Sequence, residues 1–213
     1  MQLSRKEESD ICLKCGECCK RYSITILPQE VARIAKKAGL SRKKFLEEYC
    51  ELFIKIYPKT TPGMLTCVTE NFPKNVLKML SKELSFTPPS FFIVPQIALK
   101  RIDNHCIFLN EDNTCQIYSD RPYPCQLFPF MVVEGYEENY PFCELFHKTN
   151  KDYSVKSRKY KKEIKDYFSK VDKKGFVKVW GSVPLKGKIF LNEIFLCELT
   201  IRELEKMLKE RVK

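Results

Sequence analysis

The chain has 213 residues, 44% of them hydrophobic and 31% charged, with 12 Pro and 7 Gly, which excludes a collagenous, low-complexity or wholly disordered protein. That length is enough for one domain with an extension or for two small ones. Eleven cysteines set the sequence apart, and its formal charge of +11 is unevenly held, with 19 Lys+Arg against 18 Asp+Glu in residues 1–147 and 19 against 9 in residues 148–213.

From the N-terminus, MQLSRKEESD lacks the apolar core of a secretory signal. Nowhere does a run approach the roughly 18 apolar residues of a spanning helix. The chain therefore reads as cytoplasmic, without a transmembrane segment. Arg21 to Leu27 has the Tyr, Ile and Thr content of a strand, and Pro28 suits the first turn of a helix reaching about Ala38, which Gly39 can cap. Ser41 is a fitting N-cap for a second helix. Its apolar Phe45, Leu46, Tyr49, Cys50 and Phe53 follow the three-and-four spacing of a buried stripe, so Cys50 reads as core. A Pro- and Thr-rich loop follows, then a short helix around Lys74 to Leu80 and an apolar strand around Phe91 to Val94. Ile97 to Ile102 and Cys106 to Leu109 can pair as strands.

The charge step falls at 148–152 and divides the chain into a cysteine-rich domain, residues 1–150, and a basic extension, residues 151–213. In the extension Tyr160, Ile164, Tyr167, Phe168 and Val171 recur at helical spacing, predicting an amphipathic helix over about Tyr153 to Val171 whose other face is Lys and Arg. Phe176 to Trp180 and Lys188 to Phe195 read as the two strands of a hairpin. Thr200 with Glu203 forms a capping box that opens a terminal helix, and Cys197, in an apolar run, reads as packed. The expected class is α+β: a compact cysteine-rich metal-binding domain followed by a basic helix, a β-hairpin and a final helix.

In a reducing compartment, so many thiols point to metal or redox chemistry before a disulfide framework. Cys12, Cys15, Cys18 and Cys19 fall within eight residues, and Cys106, Cys115, Cys125 and Cys143 form a wider downstream group. Thiolate is a soft ligand that suits zinc or iron–sulfur clusters, and a C-x2-C step lets two sulfurs of one tight loop reach one centre. Gly16 helps that loop turn. Cys12, Cys15 and Cys18 have the C-x2-C-x2-C spacing of a [4Fe-4S] loop, with the fourth ligand free to come from far away. The same residues could instead give two or three ligands to a zinc ion closed by a downstream thiolate. Cys18 and Cys19, being adjacent, leave the backbone in different directions, and by count up to two four-sulfur sites can form. The triple spacing favours iron–sulfur over zinc.

Three ordered blocks carry a family resemblance. They are Cys12 to Cys19; Cys106-Ile-Phe-Leu with Asn113-Thr-Cys115-Gln-Ile-Tyr118; and Arg121-Pro122-Tyr-Pro124-Cys125-Gln-Leu-Phe128-Pro129-Phe130. Over about residues 12–130 these resemble the YkgJ-type family, described as a zinc- or iron-chelating domain. The resemblance implies metal or iron–sulfur binding. The cysteine cluster is also similar to that of flagellin lysine N-methylases, which hints at a protein-modifying enzyme. Beside the resemblance, physics gives Arg121 a role. Four thiolates around zinc or an oxidised [4Fe-4S] core leave a doubly negative site that needs a cation or N–H donors, and Arg121 supplies both. An ion pair with Asp120 is the competing use of that side chain. Pro122 and Pro124 stiffen the backbone around Cys125, while Tyr118, Phe128 and Phe130 read as core.

His105 and His147 read as solvated or core residues outside the site. Phosphate-loop, dinucleotide, serine-hydrolase and zinc-protease motifs are missing, and the order of spacings around Cys12, Cys15 and Cys19 is the reverse of a radical S-adenosylmethionine loop. The basic run of Lys156, Arg158, Lys159, Lys161, Lys162 and Lys165 could attract RNA or an acidic protein surface, although the plainer reading is a solvated helix face. The sequence thus reads as a metal/redox module whose partner is the metal ion or cluster itself. The alternatives are a methyltransferase-like modifier of protein or RNA and a nucleic-acid-binding protein with a structural zinc.

Overall fold

The computed structural model describes residues 5–58, 66–128, 143–145, 154–181, 186–191 and 194–209. Pro129, Phe130, His147, Tyr153 and the charge step at 148–152 lie outside them. The protein is α+β, and its contacts divide it into two units, Met1–Arg42 with Leu99–Ile164, and Lys43–Ala98 with Lys165–Lys213.

In the first unit, α1 (Arg5–Cys15) stops where Gly16 takes the left-handed φ of 64°, and α2 (Glu17–Arg21) starts at once. The strand expected over Arg21 to Leu27 shrinks to β1 (Thr25–Ile26). Next comes α3 (Pro28–Lys37), which buries Val31, Ile34 and Ala35 and ends before Gly39 at φ 71°. Of the pairing expected between Ile97 to Ile102 and Cys106 to Leu109, only a short hairpin of β5 (Arg101–Ile102) and β6 (His105–Cys106) forms, because Ile97 to Leu99 end the longer strand Ser90–Leu99 and Leu109 bridges Cys115 instead. Asp103 and Asn104 form the hairpin's two-residue turn, both at positive φ, as a primed turn requires. Pro122 then leads into α6 (Tyr123–Leu127), a single turn that carries Cys125.

The second unit is built on a sheet ordered β4-β2-β7-β8, with β3 (Thr66–Val68) antiparallel to β4 (Ser90–Leu99). β2 (Cys50–Pro58) is central, and its Leu52, Ile54 and Ile56 are fully buried. It runs parallel to β7 (Lys186–Leu191), which turns back antiparallel into β8 (Ile194–Thr200). α4 (Arg42–Tyr49) precedes β2, and α5 (Lys74–Glu83) packs on β8. α7 (Ser154–Lys174) is the expected amphipathic helix, and its Lys and Arg run is exposed.

Two further expectations are corrected. The helix predicted to run through Phe53 ends at Tyr49, because Cys50–Pro58 is a central strand whose near-continuous apolar run also fits helical spacing. Phe176–Trp180 is a helix, α8, not the first hairpin strand. Gly175 at φ 87° breaks the chain away from α7, and Phe176 and Trp180, four apart, bury together. The hairpin is β7 with β8, which divide between them the single strand expected over Lys188 to Phe195. The terminal helix α9 (Ile201–Lys209) opens on the predicted capping box, with Thr200 N–H donating to Glu203 Oε2 at 2.7 Å and Glu203 N–H to Thr200 Oγ1 at 3.3 Å. Cys50 is buried as expected, whereas Cys197 on β8 is only half-buried.

Candidate metal centre

Two recesses in the first unit gather the eight cysteines singled out in the sequence. The larger is lined by Cys12, Cys18, Cys19, Cys106, Cys115 and Cys125. The second is lined by Cys12, Cys15, Cys18 and Cys143. Cys12, Cys18 and Gly16 thus lie between the two.

Local structure explains how each thiol gets there. Cys12 and Cys15, three apart on α1, share one helix face. Gly16 then reverses the backbone so that α2 carries Cys18 and Cys19 back beside them. A Cβ at Gly16 would stand 3.1 Å from Leu109 Cδ1 and 3.2 Å from Asn113 Cβ, so glycine is required for the approach as well as for φ. Cys106 ends the hairpin, and an antiparallel bridge sets Cys115 opposite Leu109. The loop between them is cross-braced: Asn110 N–H donates to the Thr114 carbonyl at 2.9 Å, and Thr114 N–H donates to Asp112 Oδ1 at 3.0 Å. Among the described residues no disulfide forms.

Arg121 lies on the wall of the larger recess. Its Nη1 donates to Cys12 Sγ at 3.0 Å and its guanidinium lies 3.9 Å over the Tyr118 ring. Burial opposes its charge, but Cys12 and Tyr118 hold its pKa above the ordinary arginine value. Asp120, the competing partner considered from sequence, stands 3.7 Å from Arg33 instead. The Arg121 Nε–H is buried and unpartnered among the described residues. Lys156, at the start of the basic helix, is held below its usual pKa by burial and by the charge of Arg121.

Burial pushes Cys106 up to about 11 and raises Cys115, Cys125 and Cys15, while Cys18 is raised first by its hydrogen bond with Cys19 and then by burial. Among the described residues no three His, Cys, Asp or Glu side chains stand in a geometry that grips a single ion. Closing on a metal requires the thiols to lose protons and turn inward.

A family model described as CxxCxxCC, a zinc- or iron-chelating domain, matches residues 11–144. The chain belongs to this family. No curated protein and no solved structure matches it. The donor chemistry of this CxxCxxCC protein fits the family description, because soft thiols line both recesses and, among the described residues, a buried guanidinium N–H on the wall of the larger one has no partner. No helix among the described residues is long and apolar enough to cross a membrane.

Three positioning residues escaped the sequence reading. Arg101 clamps the end of α2, its Nη1 donating to the Tyr22 carbonyl at 2.6 Å and its Nη2 to that of Lys20 at 2.7 Å, with a further bond to the Asn104 carbonyl. Glu30, only 2% exposed, accepts from the Leu27 N–H at 2.8 Å and the Tyr123 N–H at 2.7 Å, tying the starts of α3 and α6 together. Burial raises its pKa against those two hydrogen bonds. Arg33 donates to the Arg121 carbonyl at 3.1 Å. Only Glu30 left a sequence signal, as the third residue of a helix that opens on Pro28.

Proposed function

We propose that this protein is a metal/redox module that holds an iron–sulfur cluster, of [4Fe-4S] type, through Cys12, Cys15 and Cys18 with Cys143 as the remote fourth ligand. The observation that carries the reading is that these four thiols, and no other among the described residues, line one recess. The three local cysteines have cluster-loop spacing and the fourth lies more than a hundred residues away in sequence. Arg121, bonded to Cys12, offsets the negative charge of a thiolate-bound centre. A cluster bound there supplies one-electron chemistry, and the chain supplies ligands, N–H donors and a partly apolar wall of Ile11, Phe128 and Leu145. Zinc is the alternative occupant and would make the centre structural. The protein or RNA partner expected of the basic helix has charge alone in its support, since Tyr160 is 1% exposed and packs against Tyr123.

Anaerobic purification followed by iron, sulfide and zinc analysis, with optical and EPR spectra, tests the assignment. Iron and sulfide in equal amounts support it, zinc alone rejects the cluster, and no bound metal rejects the reading altogether. Cys15→Ser and Cys143→Ser should each lower the iron content, whereas Cys50→Ser and Cys197→Ser should leave it intact.

A further inference from the structure

We propose that the chain carries a second, separate metal centre, a four-thiolate site made by Cys19, Cys106, Cys115 and Cys125. The inference rests on the reading that this domain chelates metal, and it concerns thiols that the first centre leaves over. Of the eight clustered cysteines, Cys15 and Cys143 line only the smaller recess, so that recess reaches four thiols only by taking Cys12 and Cys18, which border both. The four that remain all line the larger recess and none lines the smaller.

Helix geometry supports the same division. Adjacent residues on a helix are about 100° apart around its axis, and on α2 Cys18, though hydrogen-bonded to Cys19, borders both recesses while Cys19 lines only the larger. Cys125 lies within electrostatic reach of Cys106 and Cys115, and Cys106 of Cys115, while Cys18 at the border of the two recesses is within reach of all three. The larger recess also contains Arg121, whose buried Nε–H has no partner among the described residues. A thiolate on the metal is the kind of acceptor that donor lacks. The second set joins α2, the β5–β6 hairpin, the Cys115 loop and α6, segments that share little regular structure. A closed site of four sulfurs around one soft divalent ion such as zinc suits that arrangement. On binding, four thiols release four protons to water and four metal–sulfur bonds form, with no change of oxidation state.

The test is a titration of the full-length chain, stripped of metal and kept reduced, with Zn2+ alone, read by native mass spectrometry. Wild type should take up two ions per chain. The Cys15→Ser/Cys143→Ser and Cys106→Ser/Cys125→Ser double variants should each halve that uptake. One ion in wild type overturns the second centre, as does loss of all zinc in the Cys15→Ser/Cys143→Ser variant while its circular dichroism stays unchanged. If a variant fails to fold, the wild-type stoichiometry decides alone. The first reading fails separately: a chain isolated without iron or sulfide that still binds two zinc ions refutes the cluster and keeps the second site.

Discussion

At the scale of single residues, Arg121 does three jobs with one side chain. It donates to Cys12 Sγ, stacks on Tyr118, and keeps a positive charge against burial. Removing a group that supports metal ligands typically costs about 10–100-fold in metal affinity. Arg121→Gln should therefore weaken metal retention by about that factor in a chelator-competition assay, and Arg121→Lys should recover only part of it, because an ammonium cannot both stack flat and donate sideways. Gly16 makes a different prediction. An alanine there meets a left-handed φ costing about 1–2 kcal/mol as well as close contacts with Leu109 and Asn113. Gly16→Ala should lower the denaturation midpoint and metal content together. Both residues were legible in the sequence, Gly16 from its place between thiols and Arg121 from the charge a thiolate centre accumulates. Arg101 was not, because the carbonyls it clamps at Lys20 and Tyr22 are brought to it only by folding.

Elements were legible where their signals are local. The Pro28 start of α3, the capping box of α9 and the amphipathic α7 all lie where end signals and periodicity put them. They failed where the same apolar residues serve two periods. Cys50 and Phe53 continue the stripe of α4, yet β2 takes them because a strand there is buried between β4 and β7. That tight sheet makes Gly187 a sensitive position, since a Cβ there would lie 2.7–2.9 Å from Leu52 side-chain atoms, its own Cβ among them. Gly187→Ala should cost about 1–3 kcal/mol by overpacking, read as a lower urea midpoint. The α3–α6 tie predicts a loss of another kind. Glu30→Gln replaces one of two acceptor oxygens with a donor facing a backbone N–H, at about 1–3 kcal/mol. Because burial raises the Glu30 pKa, the folded state binds the proton more tightly than the unfolded one. The advantage of wild type over Glu30→Gln should thus shrink as pH rises above the ordinary 4.5 through the raised value.

For the whole molecule, the two units draw on different sources of order. The second has a sheet with a buried centre, whereas the cysteine-bearing parts of the first are short elements and loops held by side-chain ties. With the proposed ligands, metal binding would close loops of about ninety residues or more there, so it should contribute to folding free energy mainly in that unit. Stripping the metal should release amide protection over α2, the β5–β6 hairpin and α6, and much less in β2 and β7, in a hydrogen-exchange comparison of loaded and stripped chain. Uniform loss throughout would mean that the metal acts on the molecule as a whole. The pH dependence follows from the thiols. Buried Cys106 is pushed up to about 11 from an ordinary 9.0, so the stripped chain favours the protonated thiol and should lose stability as pH climbs through that window. In the loaded chain the order is reversed, because each metal–sulfur bond displaces a proton that acid returns. Zinc affinity should therefore rise steeply between about pH 6 and about pH 8, while a flat profile would show that these thiols are not the ligands.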